Sequence, residues 1–289
     1  MALPSNSATR QTSPQWMKIV NRQPEQTADI SSARGKSFSE FRKLLLWCSL
    51  SVVGLYCVIG LVVDNVVKHI SFETEAALFG SFREDSDMLA HENDSVITRL
   101  NHLLDQLKSH PDVPDLPYKI TLIDENQPNA FAFPGGTIGV TKGLLEVVDE
   151  DIAIAFVLAH ELGHFYHRDH LRGIGRALGM SIALSLLSGG NLGNADFQNL
   201  LSAVLDKNYS RQQEAKADAF GIRLVYEIFG KTEGTDALFR HIDQEAQLPA
   251  WTYMFATHPH PQKRIELLKA QVEQLQLRSV KTMAAEYPN

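Results

Sequence analysis

Cysteine is nearly absent. Cys48 and Cys57 are the only two in 289 residues, and both sit in one apolar stretch. No disulfide framework or thiolate metal site can be built from them, so any metal centre must draw on His, Asp and Glu. Positive charge is in the minority, with 27 Lys and Arg against 34 Asp and Glu and a net charge of -7. There is no arginine-rich tract or basic stripe, so nucleic acid is not expected as a partner. The acidic excess reads as solvated surface. No internal repeat is evident. What remains is a chain that is 44% hydrophobic, enough for one sizeable globular domain plus further segments.

Leu44 to Val63 reads LLLWCSLSVVGLYCVIGLVV, 20 residues without a charge, the length needed to cross a bilayer core. A cleaved signal peptide fits poorly: the apolar stretch is too long, 43 residues precede it, and Asp64-Asn65-Val66-Val67-Lys68 follows in place of a small-residue cleavage site. Arg10, Lys18, Arg22, Arg34, Lys36, Arg42 and Lys43 precede the segment, whereas only Lys68 and Arg83 fall in the 20 residues after it. The positive-inside rule then predicts a cytoplasmic N-terminus and a C-terminal body across the membrane, the periplasm in a bacterium. The mitochondrial inner membrane is the alternative, weakened by Glu25, Asp29 and Glu40.

Four regions are predicted: a mostly disordered cytoplasmic tail (1–43), a transmembrane anchor (44–63), a helical linker region (64–116) and the catalytic domain (117–280). In the linker region, Met88, Leu89, Val96, Ile97, Leu100, Leu103, Leu104 and Leu107 recur at helical spacing. Residues 118–124 alternate as a strand, and 130–133 and 137–140 flank the turn Pro134-Gly135-Gly136 as a hairpin. Helices are expected at about 141–148, 151–168, 171–187, 196–206, 210–228, 233–245 and 262–277. The fold class is α+β, mostly α, with a small sheet. The run Ala177–Leu187, at 11 residues, is too short to span and is expected to be a core helix. Contact with the membrane surface is the minority reading.

His160-Glu161-Leu162-Gly163-His164 is an H-E-x-x-H motif. Residues i and i+4 lie one turn apart on one helix face, so both imidazoles can reach a single metal ion. Glu161 can then reach a water that zinc has acidified towards a pKa of about 7, taking its proton and passing it to a leaving amine. The apolar run 152–159 just before the motif would bury the helix and shield the site from bulk solvent. A catalytic zinc needs a third protein ligand. Glu214 and Asp218 are the best candidates, again i and i+4 on one predicted helix: one can ligate and the other can hold a ligand imidazole in its tautomer. His167 and His170 would crowd the geometry as ligands and are assigned to the surface or to support of the ligands. His91, His102 and His110 are expected at the surface. His258, stiffened by Pro259, is a candidate donor to the oxyanion of a scissile carbonyl, balanced against a purely structural capping role.

At these residues the chain resembles the HtpX- and Oma-type gluzincin zinc metallopeptidases, related to the CAAX prenyl proteases. The resemblance runs from about Asn129 to Leu267. It is carried by Asn129–Gly136 with Ile138, Val140 and Gly143-Leu144-Leu145, by His160–His164, by Glu214–Asp218, and by His258-Pro259 with Arg264-Ile265. It implies a zincin-like metalloprotease domain with one zinc ion per chain, Glu214 as third ligand and Asp218 as its supporting acid. It also implies an edge strand at 129–133 beside the active site, so that Asn129, Ala130, Phe131 and Ala132 would offer backbone groups to an extended substrate. HtpX has several spanning segments and this chain shows one, which points to the single-anchor, quality-control members.

The function expected is therefore a membrane-anchored zinc endopeptidase that cleaves unfolded or misfolded envelope proteins, with membrane lipid as its surroundings. A catalytically weak, membrane-tethered chaperone or binding module using the same cleft is the alternative, and Glu161 argues against it. An intramembrane protease is excluded, since His160 lies nearly 100 residues beyond the apolar span.

Overall fold

The structure, a computed structural model, describes residues 30–80, 94–188, 209–232, 235, 258, 264 and 266–275. Residues 1–29 of the expected tail, the helices at 196–206 and 233–245 apart from residue 235, the first part of the 85–107 helix, and His91 lie outside the described residues, whereas residues 30–43, expected as tail, are helical because they continue the apolar helix that follows. By its internal contacts the chain divides into two units, Met1–Leu55 and Tyr56–Asn289. Helix α1 (Ile30–Val67) supplies the described part of the first. Its stretch Phe38–Val67 is long and apolar enough to cross a membrane, and its most apolar part has a mean hydropathy of 2.3 and no buried residue. Its last residues, 56–67, belong to the second unit.

After the end of α1, that second unit continues with α2 (Phe72–Leu78), whose first turn is closed by the Ser71 hydroxyl accepting from the Thr74 amide. Helix α3 (Asp94–Lys108) follows, and its apolar stripe Leu100, Leu103, Leu104 and Leu107 is buried in the main core. The segment expected to lead into the domain is thus packed inside its core. Strands β1 (Lys119–Ile123), β2 (Ala130–Phe133) and β3 (Thr137–Thr141) form a sheet of order β1-β3-β2. β1 runs parallel to β3, and β2 pairs antiparallel with it across the expected hairpin, Ala130 opposite Val140 and Phe133 opposite Thr137.

After the short α4 (Lys142–Val147) comes α5 (Asp151–Tyr166), with every residue from Ile152 to Phe165 buried. A helix apolar on most of its faces is a core helix or a membrane span; burial in the domain makes this one a core helix, and it carries the H-E-x-x-H motif at its C-terminal end. Helices α6 (Asp169–Ser188) and α7 (Arg211–Phe229) complete the ordered framework. α7 opens with a capping box, in which Ser210 and Gln213 each bond the other's backbone amide. Residues 266–275 are also helical, and Leu268 joins the core.

One expectation is corrected. The run Ala177–Leu187 is not a core helix: Leu178, Ile182, Leu184 and Leu186 are all exposed on α6. Periodicity reveals that a run is apolar, but burial depends on whether another element arrives to cover it.

Candidate metal centre

Two helices build the site, and two glycines let them approach. A β-carbon at Gly163 of α5 would stand 2.9 Å from Ala217 Cα, and one at Gly221 of α7 would stand 3.0 Å from the His160 amide nitrogen. Only glycine allows backbones this close. The contact brings Glu214 and Asp218 of α7 against the two histidines of α5.

One donor atom from each of His160, His164, Glu214 and His258 lies within 4.8 Å of the others, and all four residues are buried. The two Nε2 atoms of His160 and His164 are 3.1 Å apart. Glu214 reaches them at 3.7 and 3.5 Å through Oε2 and Oε1. His258 Nδ1 lies 3.0 Å from Glu214 Oε1 and 3.4 Å from His160 Nε2.

Each ligand candidate is held from behind. His160 Nδ1 donates to Asp218 Oδ1 at 2.9 Å, and His164 Nδ1 donates to Asp169 Oδ2 at 3.2 Å. In the neutral form of each imidazole, a bond of this kind would leave Nε2 as the lone-pair nitrogen facing the centre. Asp169 is itself fixed by Gln213 Nε2 at 2.8 Å. Arg264 donates through Nε and Nη2 to the two oxygens of Asp218, both at 2.7 Å, and its Nη1 sits 2.7 Å from Glu214 Oε2. The Tyr209 ring stacks on His164 with centroids 3.8 Å apart and a 10° tilt.

Burial works against charge throughout the centre, and the pairings decide the outcome. For Glu214, burial would raise the pKa, but the charges of His258 and Arg264 hold it well below the usual carboxylate range. Asp218 is likewise held down, by Arg264 and His160 against burial. Burial lowers His160 despite Asp218. It pulls on His164 too, but Asp169 and Glu214 prevail and lift that imidazole to about 9. Two ionised carboxylates in a dry site are a donor set for a cation.

The residues singled out from sequence, His160, Glu161, His164, Glu214, Asp218 and His258, thus meet in one place. Glu161 is buried beside them, with Oε1 3.9 Å from His258 Nε2 and no hydrogen-bond partner for Oε2 among the described residues. β2 is an edge of the sheet, but Asn129 to Phe133 are buried along their side chains. Asn129 turns inward: its amide donates to Thr141 Oγ1 at 2.8 Å and its Oδ1 accepts from the Ala130 amide at 2.9 Å.

His170 does not lie at the surface. It is fully buried, with Nε2 2.7 Å from Glu75 Oε1 and Nδ1 3.4 Å from the His164 carbonyl oxygen. Glu75 also pairs with Arg168 and accepts from the Gly135 amide at 3.2 Å. Sequence reasoning missed Glu75, Asp169, Tyr209 and the double role of Arg264. Asp169, five residues after His164, could have been suspected from its spacing. Glu75 and Tyr209 carried no local signal.

Residues 90–272 match Peptidase family M48. The chain belongs to this family. Similar proteins include the mitochondrial metalloendopeptidase OMA1 of Schizosaccharomyces pombe, 28% identical over 166 residues covering 57% of this chain and 49% of that protein. A protease HtpX homolog of Salinibacter ruber is 27% identical over 204 residues, 59% of this chain and 73% of the other. The beta-barrel assembly-enhancing protease of Escherichia coli K12 is 28% identical over 188 residues, 60% and 38% of the two chains. The match therefore spans about half or less of two of these relatives. The M48 match takes in α3, the sheet, both site helices and Arg264, and the resemblance drawn from the four motifs is to this same family.

Proposed function

We propose that this chain is a membrane-anchored zinc endopeptidase. The observation that carries the reading is the convergence of four buried donors beside a buried carboxylate oxygen, Glu161 Oε2, that lacks a partner among the described residues. Buried polar atoms are ordinarily satisfied, so an orphan facing a donor cluster marks a place for a water, an ion or a substrate. The donor set suits zinc: two imidazoles and one carboxylate, His160, His164 and Glu214, are a known ligand combination for catalytic zinc.

When bound there, zinc would supply a Lewis acid that makes water a nucleophile near neutral pH. Glu161 would accept the proton of the attacking water and return it to the departing amine. His258 would donate to the developing oxyanion. Asp218 and Asp169 would keep the imidazoles oriented, and Arg264 would neutralise the second-sphere charge. The backbone of Asn129, Ala130, Phe131 and Ala132 at the sheet edge would pair with an extended substrate. Recognition through backbone suits unfolded or damaged envelope proteins at the membrane.

The excess of Lys and Arg before the apolar helix supports a single-pass inner-membrane protein with its catalytic domain in the periplasm. The mitochondrial inner membrane is the second candidate, and one relative fits each side: an OMA1 is mitochondrial by name, and an HtpX homolog comes from a bacterium.

The test is Glu161→Gln in the full chain. The variant should keep its zinc, measured by elemental analysis, and lose casein cleavage by a factor of at least about 100. Equal cleavage by the variant overturns the base assignment. A zinc-loaded wild type that binds casein without cutting it would favour a tethered chaperone instead.

A further inference from the structure

Helix α6 leaves the candidate metal centre and then exposes an apolar surface that nothing among the described residues covers. Its first turn is part of the site, since Asp169 holds His164. Its middle packs on the end of α1. A β-carbon at Gly175 would meet Val63 Cγ1 at 2.8 Å, and one at Gly179 would meet Ile59 Cγ2 at 2.8 Å. Four residues forward on α6 correspond to four residues back on α1, so the two segments run antiparallel in close contact. Arg176 closes the polar end of the pair, donating to Asp64 Oδ1 and Oδ2 at 2.8 and 3.0 Å.

Ile59 and Val63 are the last residues of the apolar stretch of α1. A helix packed antiparallel on them runs alongside the part of that apolar stretch that belongs to the second unit, 56–63. Beyond Arg176 the sequence of α6 has no charge up to its end at Ser188. Leu184 is 58% exposed and Leu186 70% exposed, matching Val58 at 57% and Leu61 at 72% on α1. The Ser181 hydroxyl donates to the Ala177 carbonyl at 3.0 Å, so it needs no water. Residues 177–188 extend about 18 Å at 1.5 Å per residue, against a leaflet half-thickness of about 15 Å.

At the other end of the pair lies a polar cavity of about 400 Å³, lined in part by Lys68, Arg172, Arg176 and Lys216 with Asp64 and Asp169. Long cationic side chains at the end of a membrane helix extend their charged heads to the interface.

We infer that residues 177–188 of α6 are inserted in one leaflet of the bilayer beside α1, with Lys68, Arg172 and Arg176 at headgroup level. The inference rests on reading α1 as a membrane span. Its occupant is lipid. The apolar surface is continuous with a helix of membrane-spanning composition, and the small residues at the contact are those that let helices approach in lipid. The consequence is that the metal centre is held at the membrane surface by two points of attachment, because α6 begins at Asp169, the residue that orients His164.

The experiment reconstitutes the full chain in phosphatidylethanolamine–phosphatidylglycerol vesicles containing a lipid with a diazirine near its acyl-chain end. After illumination, labelled peptides are mapped by mass spectrometry. Labelling within 178–186 as well as within 44–58 is the expected result. Label in α1 and none in α6 overturns the inference and leaves the anchor standing; no label in either overturns the anchor reading itself. A second measurement uses Leu184→Cys and Leu186→Cys in a Cys48→Ser, Cys57→Ser background, with exposed Glu146→Cys as the aqueous reference. Loss of maleimide modification at 184 and 186 in vesicles, together with acyl-chain labelling, supports insertion. Modification at the rate of the reference overturns it, as does protection without lipid label, which would mean a protein cover.

Discussion

Arg264 shows how one side chain can serve two carboxylates with different duties. Its fork grips both oxygens of Asp218, while the third nitrogen meets Glu214. A point charge cannot do this: lysine offers an ammonium with no planar bidentate face. Arg264→Lys is therefore expected to preserve the charge and lower zinc affinity by about 10–100-fold, the usual effect of losing a group behind the ligands. Competition against a zinc chelator measures it, and an unchanged affinity would show that Asp218 holds His160 without help.

Between elements, the critical distance is the one between α5 and α7. Gly163→Ala would place a methyl group against Ala217, at 2.9 Å from its Cα, and the helices must part to admit it. Because Glu214 rides on α7, its carboxylate moves away from the histidines. A displacement near 1 Å can cost about 100-fold in rate, so casein cleavage should fall by that order while the domain stays folded by circular dichroism. Retained activity would show that the helices can slide without separating the donors.

Glu75 is the other inter-element fastening, since α2 meets the loop after α5 through Arg168 and His170 and the sheet turn through Gly135. Removing one partner of a buried ion pair costs about 3–5 kcal/mol, and Glu75→Gln should lower unfolding stability by that order at neutral pH. The pH dependence has a definite sign. Burial would raise the Glu75 pKa, but His170, Gly135 and Arg168 together lower it from 4.5. Its stabilisation is thus complete above the unfolded-state value and is lost as pH falls through the lower folded-state value. Urea melts of wild type and Glu75→Gln should converge only in acid below about pH 4. A gap that stays constant into strong acid would mean the carboxylate charge contributes nothing.

For the whole molecule, the metal centre joins elements far apart in the chain, from His160 in α5 to Glu214 in α7 and His258 beyond it. A ligand that binds only the folded state stabilises it by mass action, about 4 kcal/mol at a concentration 1,000 times its Kd. Chelation should therefore abolish proteolysis and also lower Tm, and zinc should restore both. A Tm indifferent to zinc would mean that the site is fully built by protein contacts alone. The two attachments proposed at the membrane, α1 and the end of α6, would add a second constraint on the orientation of this centre.

Local pattern determined a great deal here. The apolar helix, the hairpin at 130–141, the core helix with its H-E-x-x-H motif and the Glu214–Asp218 pair could all be read directly, because each depends on spacing within one element. That His258 belongs with them was only one of two open readings, since no spacing links it to α5. Tertiary structure alone decided that His258 stands 3.0 Å from Glu214, that Asp169 pairs with His164 and Arg264 with Glu214, and that Glu75, His170 and Arg168 form one cluster. It also decided that Leu178, Ile182, Leu184 and Leu186 of α6 are exposed among the described residues. The reason is physical: a side chain's period along its own element reveals which face it occupies, whereas its partner is chosen by whichever distant segment the packed core brings there.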